Sequence, residues 1–173
     1  MAKATIEVYF RGTWQKAAQL TSDQEDHGHL GACELEYDMD FAARFLNEPE
    51  CRSAGVSCRY PVDFDFHQRD TWPAFLLDLL PSGFGRDNWI RQLALRDNAK
   101  ADWPLLFHGA ANPPGNLRIR ESVDARDPAM QVPTQQGALV KLPDHPGFEL
   151  RCILERQEQF IEYAVQNGAY AAG

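Results

Sequence analysis

The residues whose types and spacing are best suited to chemistry lie in two short polar segments. His27 and His29 flank a glycine in an acidic stretch, and two imidazoles at that spacing are able to share one metal ion. The sequence offers no third ligand beside them, so two solvated histidines are the simpler interpretation. Asp63, Asp65 and His67 form the second segment, where we expect a surface loop with one or two buried phenylalanine rings.

Thiol and carboxylate chemistry has weaker support in the sequence. The four cysteines show no C-x-x-C spacing, and Cys33 and Cys58 fall in strand-like segments as small apolar residues. Glu34 and Glu36 lie on one face of a predicted strand, where they favour solvation rather than acid–base catalysis. We therefore assign no catalytic, cofactor-binding or metal-binding residue in this chain.

Short strands are predicted in the first third of the chain. Apolar and polar residues alternate over four segments, which are residues 5–10, 14–20, 30–37 and 55–62. Residues 22–28 predict a solvated loop, and residues 38–46 a short helix with an apolar face of Met39, Ala42, Ala43 and Leu46. Strands that precede the longer helices favour an α+β fold, with a small bent antiparallel sheet or partial barrel packed on a helical hairpin.

The strongest helical pattern lies in residues 71–95, TWPAFLLDLLPSGFGRDNWIRQLAL. Its first half predicts a helix capped by Thr71, with an apolar face of Trp72, Phe75, Leu76, Leu79 and Leu80. Pro81-Ser82-Gly83 ends that helix, and a second helix begins near Arg86. Four aromatic rings are expected at the junction, which are Trp72, Phe75, Phe84 and Trp89.

This hairpin resembles a motif of HipA-type kinases, F-x-x-x-L-L-P-[ED]-G-x-x-R. The matching residues are Phe75, Leu79, Leu80, Pro81, Gly83 and Arg86. Ser82 replaces the usual acidic residue, which removes a charge but keeps the turn. In that family the motif lies in a small subdomain ahead of the kinase domain, so the resemblance implies a structural role for these six residues.

The later part of the chain predicts further elements. Residues 102–107 predict a helix capped by Asp102, and residues 117–119 a short strand. We place a domain boundary after residue 120, followed by a Pro-rich linker or surface loop over residues 121–147. Residues 148–173 contain a long amphipathic helix whose apolar stripe is a candidate interface formed by Leu150, Ile153, Leu154, Ile161 and Val165.

Charge and composition exclude two classes of partner. The net charge of −8 argues against a nucleic-acid-binding surface, which requires clustered lysine and arginine to neutralise phosphates. No apolar run approaches the roughly 20 residues that span a bilayer, and the N-terminus has no signal-peptide pattern. A cytoplasmic location is therefore expected, with no direct nucleic-acid or membrane partner.

The resemblance implies that residues 1–173 are the N-terminal part of a longer HipA-like serine/threonine kinase, the toxin of a type II toxin–antitoxin system. The helix over residues 148–173 would then lead into a kinase domain that this chain lacks. The implied partners are the remainder of the kinase and an antitoxin protein. ATP and Mg²⁺ are expected for the longer parent and no cofactor for this chain, because the sequence has no G-x-G-x-x-G, H-R-D or D-F-G motif.

Two alternatives remain open at this point. The chain is also compatible with a separately encoded partner that binds a shorter kinase in trans. The other alternative is a small stand-alone enzyme that uses Cys58 or His67 in the loop before the hairpin.

The turn at Gly83 generates a first testable prediction. We expect a positive φ angle there, because the residue reverses the chain between two packed helices. Gly83→Ala should then destabilise the fold by about 1–2 kcal/mol through backbone strain. Urea unfolding measures this loss, and an unchanged midpoint would show that the turn is an ordinary helix end.

Overall fold

A computed structural model describes residues 1–46, 54–111 and 115–125. Five strands form one open antiparallel sheet in this part of the chain. They are β1 (Ala2–Phe10), β2 (Thr13–Ser22), β3 (Cys33–Tyr37), β4 (His67–Arg69) and β5 (Leu117–Ile119). The order across the sheet is β4-β3-β2-β1-β5, so β4 and β5 form its edges. The predicted α+β fold is confirmed.

The helices are short. They are α1 (Met39–Phe45), α2 (Ala74–Leu77), α3 (Gly83–Gln92), α4 (Asp102–Gly109) and α5 (Arg120–Asp124). Two 3-10 segments, Glu25–Leu30 and Ala99–Ala101, lie before β3 and before α4. Within the described residues no helix combines the length and the apolar character needed to cross a membrane.

The hairpin of β1 and β2 is the centre of the sheet. Its two-residue turn has positive φ at both Arg11 and Gly12, a geometry whose twist matches that of antiparallel strands. Ile6 of β1 is fully buried and lies opposite both Ala18 of β2 and Ile119 of β5. The alternation predicted for residues 5–10 and 14–20 therefore sets the core of the sheet.

Helix α1 forms where it is predicted but buries a different face. Asp38 is its N-cap, whereas Met39 is 72% exposed and Phe41 and Phe45 are buried. The Phe45 ring meets Phe10 edge-on at 5.3 Å. Of the predicted apolar face, Ala42 is buried, whereas Met39, Ala43 and Leu46 are exposed. The prediction was wrong at these three positions because burying two aromatic rings removes more apolar surface from water.

Residues 55–62 do not form the predicted strand. They contain one isolated bridge, between Ser57 and Tyr60. The Tyr37 hydroxyl holds both ends of this segment through hydrogen bonds. This hydroxyl accepts from the backbone N–H of Val56 at 2.9 Å and donates to the carbonyl of Tyr60. Burial raises the pKa of Tyr37 to about 12, so the hydroxyl remains a donor at neutral pH.

The segment predicted as an irregular loop before the hairpin contains β4 at residues 67–69. Phe64 and Phe66 are 51% and 66% exposed, so the expected burial of phenylalanine in this loop was wrong. The loop over residues 22–28 was expected to be solvated, and residues 23–27 are exposed. Ser22 and Gly28 at its two ends are buried, and a 3-10 segment begins at Glu25.

The predicted helical hairpin is shorter than expected. Helix α2 begins after Pro73, not at Thr71, and ends after one turn in i→i+3 hydrogen bonds such as Leu79 N–H to the Leu76 carbonyl at 3.1 Å. The four aromatic rings do not meet at one junction. Trp72 packs on Trp103 at 4.7 Å, Phe75 on Tyr60, and Trp89 near His108, while Phe84 is 41% exposed.

Gly83 has a φ of +50°, so the expected positive φ is confirmed. Helix α5 crosses the predicted boundary at residue 120, and the Glu121 carboxylate accepts from the backbone N–H of Thr5 at 2.9 Å. The rest of the predicted linker and the helix over residues 148–173, with its apolar stripe, lie outside the described residues.

The cap of α1 generates a second prediction. The Asp38 carboxylate accepts from the backbone N–H of Asp40 and Phe41 and lies 2.7 Å from the Lys16 ammonium. Asp38→Ala should therefore lower the free energy of unfolding by about 1 kcal/mol. Asp38→Asn keeps a side-chain oxygen that accepts at the cap, so it should lower the free energy of unfolding by less. Urea unfolding of the three proteins measures both losses, and equal losses for the two variants would contradict the capping role.

The same cap predicts an acid dependence. Partial burial would raise the pKa of Asp38, but hydrogen bonds from Lys16 and the Phe41 N–H lower it overall. A group with a lowered folded-state pKa stabilises the fold above its unfolded pKa, and this contribution is lost as pH falls through the folded value. When unfolding is measured between neutral and acidic pH, Asp38→Asn should lose less stability than the unchanged protein, because it has no carboxylate to protonate at this position.

Candidate functional site

The residues of the hairpin motif form the joint between α2, α3 and α4. Leu79, Leu80 and Pro81 are buried, and Pro81 lies against Gly109 at the end of α4. A Cβ at Gly109 would come within 2.2 Å of Pro81 Cγ, so the close approach requires glycine there. The motif proline therefore docks the chain on α4.

Arg86 forms ion pairs within the same joint. Its Nε donates to Asp97 at 2.8 Å, and both terminal nitrogens donate to Asp102 Oδ1 at 3.2 Å. The Asp102 side chain is 1% exposed, whereas Asp97 is 57% exposed. The pair with Asp102 is therefore the one protected from solvent, where hydrogen-bonded charges interact most strongly.

The other oxygen of Asp102 reaches His29 in the first 3-10 segment. Asp102 Oδ2 accepts from the backbone N–H of His29 at 3.1 Å and lies 2.6 Å from its Nδ1. This carboxylate thus contacts two other segments of the chain. His29 precedes Asp102 by 73 residues, and Arg86 precedes it by 16. We call His29, Arg86, Asp97 and Asp102 the Asp102 cluster.

Gly28 makes this contact sterically feasible. Its φ is +51°, and a Cβ would lie 1.9 Å from the Ala99 carbonyl oxygen and 2.5 Å from Asp102 Oδ2. A side chain at position 28 would therefore separate the 3-10 segment from Asp102. This feature was missed from the sequence, in which Gly28 appears only as a spacer between two histidines.

The chemistry that the Asp102 cluster supports is orientation of one imidazole. The carboxylate faces Nδ1, which leaves Nε2 of His29 as the ring nitrogen that is not engaged by Asp102, on a side chain 38% exposed. The predicted cap role of Asp102 was wrong, because the N-cap of α4 is Ala101 and the carboxylate turns to Arg86. His27 is exposed, and among the described residues no group of three or more His, Cys, Asp or Glu side chains is able to hold a metal ion.

The other candidate residues do not gather around this cluster. Cys58 is exposed, while Cys33 is buried and desolvation raises its pKa to about 11. His67 Nε2 lies 3.1 Å from Asp63, and Glu34 accepts from the Gln68 amide at 3.3 Å. A Cys33 thiol with a raised pKa is a weak nucleophile at neutral pH.

A second charged cluster, at the β5 edge, was also missed. Glu7 is 4% exposed and accepts from Arg118 at 2.6 Å and Arg120 at 3.1 Å. Arg118 also lies over the Trp14 ring at 4.2 Å. The one sequence signal was the glutamate within an apolar strand, and its partners became evident only through the pairing of Glu7 with Arg118 across β1 and β5.

Comparison with known proteins adds no family assignment: no protein-family model matches the chain, and no curated protein matches it. The resemblance to HipA-type kinases therefore depends on the motif residues alone.

The buried pair generates a third prediction. Arg86→Met should lower the free energy of unfolding by about 3 kcal/mol, because it leaves the Asp102 carboxylate buried without its guanidinium. The matched control is Arg96→Met, at an exposed arginine, which should change stability by less than about 0.5 kcal/mol. Urea unfolding compares the two variants, and equal losses would show that the cluster contributes no net stability.

Proposed function

We propose that this chain is the non-catalytic N-terminal subdomain of a HipA-like toxin serine/threonine kinase. In this role it packs on the kinase lobe, contributes surface for the antitoxin and works in the cytoplasm. The parent protein uses ATP and Mg²⁺ to phosphorylate a protein target.

The observation that carries this proposal is that the motif residues act as one structural joint. Leu79, Leu80 and Pro81 are buried, Gly83 has positive φ and Arg86 pairs with buried Asp102. Phe75, which is partly buried, packs edge-on near Tyr60. Residues that hold helices together serve the structure of an accessory subdomain. A catalytic motif would instead present its side chains to a substrate.

The carboxylates of the joint are already engaged by other side chains. Carboxylate oxygens are the ligands that Mg²⁺ prefers. Both oxygens of Asp102 are engaged by Arg86 and His29, and Asp97 is also bound to Arg86. Nucleotide and metal therefore belong to the remainder of the parent in this proposal.

The experiment that tests the proposal begins with the reading frame downstream of codon 173. The kinase lobe encoded there, or by a neighbouring gene in the trans-acting alternative, is expressed separately and mixed with this chain. We expect a complex in sedimentation. Fully burying each leucine or isoleucine of the predicted stripe contributes about 1.5–3 kcal/mol, so Ile153→Asp with Ile161→Asp should abolish the complex.

The matched control is Glu155→Gln with Glu162→Gln, on the opposite face of the predicted helix, which should leave the complex intact. Circular dichroism of the aspartate variant should show that the 1–120 fold is retained. If that fold is lost as well, the helix over residues 148–173 belongs to its core.

A second measurement separates the proposal from the stand-alone enzyme. The chain alone, incubated with labelled ATP and Mg²⁺, should neither hydrolyse ATP nor incorporate phosphate. Activity of the chain that Cys58→Ser or His67→Ala abolishes would overturn the proposed function in favour of that alternative.

A further inference from the structure

Strand β4 exposes an edge of the sheet. It is at the end of the strand order and, in the part of the chain that the structure describes, pairs with β3 alone. Its residues Gln68 and Arg69 are exposed, and no described strand pairs with its side away from β3. Such an edge is a template for another extended chain, because the backbone groups of an incoming strand complete the ladder.

A groove with a distinct charge lies beside this edge. It has a volume of about 480 Å³ and is lined by Arg59, Tyr60, Phe66, His67, Gln68 and Arg69. We call it the basic groove, since two of these six side chains are arginines and none is acidic, while a third, His67, faces Asp63 at 3.1 Å. That composition is unexpected in a chain whose net charge is −8.

The arginines of the basic groove lack partners within the described chain. Arg86, Arg118 and Arg120 each have a carboxylate within 3.2 Å. The guanidinium groups of Arg59 and Arg69, by contrast, make no hydrogen bond or ion pair with any described residue, and both side chains are exposed. Two unpaired guanidinium groups in one groove offer charge-assisted hydrogen bonds to an anionic group.

Aromatic surface completes the groove. Phe66 is 66% exposed, and the buried Tyr60 ring supports His67 edge-on at 5.3 Å. An exposed phenylalanine next to a strand edge offers apolar contact to a side chain of an incoming strand.

We propose that β4 and the basic groove bind an extended acidic peptide segment of a protein partner. The peptide backbone pairs with the outer edge of β4, one of its carboxylates binds Arg59 and Arg69, and a neighbouring apolar side chain packs on Phe66. This inference goes beyond the proposed function and does not depend on it.

A nucleic acid fits the same edge less well. A nucleic acid lacks the regularly spaced amide groups that the β4 edge would pair with.

The test is a titration of the isotopically labelled full chain, followed by NMR. The probe is a peptide of about eight residues, the length of an ordinary strand, with alternating valine and glutamate. We expect shifts of the backbone amides of residues 67–69. A peptide of alternating valine and lysine should not bind, and neither should the acidic peptide with alternate amides N-methylated, because it cannot pair with the edge.

Variants of the arginines test whether the basic groove is the binding site. Arg59→Gln with Arg69→Gln should lower the affinity for the acidic peptide by about tenfold or more, since two charge-assisted contacts are lost. Arg96→Gln, a change at an exposed arginine outside the groove, should leave affinity within about twofold.

Five outcomes would overturn the proposal, of which four concern the specificity of binding. These four are equal binding of the lysine peptide, undiminished binding of the N-methylated peptide, an unchanged affinity of the double variant, and tighter binding of a labelled oligouridine. Failure of the acidic peptide to bind also overturns it, and hydrogen exchange then shows whether another part of this chain protects the β4 amides. None of these results bears on assembly with a kinase lobe, so the proposed function is tested separately.

Discussion

The buried carboxylate of Asp102 is the interaction on which the helical half of the described structure depends. One oxygen receives two hydrogen bonds from Arg86, and the other faces His29. A carboxylate that is 1% exposed would be strongly unfavourable without these partners. The requirement to satisfy it fixes where α3 and the first 3-10 segment lie on α4, and the missing Cβ of Gly28 makes the arrangement possible.

The same constraint gives the hairpin motif a physical meaning. Pro81 packs on Gly109 at the end of α4, and Arg86 of α3 donates to Asp102 at the start of α4. Ser82, where the motif that this hairpin resembles has an acidic residue, is exposed and provides no side-chain cap for α3. Its departure from the pattern therefore falls at a position that the described packing does not use.

Local patterns predicted part of the local structure. The alternation of Ile6 and Val8, the helix after Asp38 and the positive φ of Gly83 all follow from the chemistry of a few neighbouring residues. The roles of Asp102 and Glu7 were not predictable in this way, because their partners lie far along the chain and an acidic residue before a helix has an obvious local role. Strand β4 was missed because three residues are too short to show an alternating pattern.

The pairing of β1 with β5 has a consequence for the order of folding. Ile6 lies beside Ile119, and the Thr5 N–H reaches Glu121, a separation of 116 residues. Closing a loop of that length costs chain entropy before any contact repays it, so this pairing is expected late. During synthesis, β1 and β2 can form their hairpin long before residue 119 leaves the ribosome. The outer edge of β1 must therefore remain exposed in the nascent chain, which makes it the segment for which a chaperone has the longest opportunity to compete.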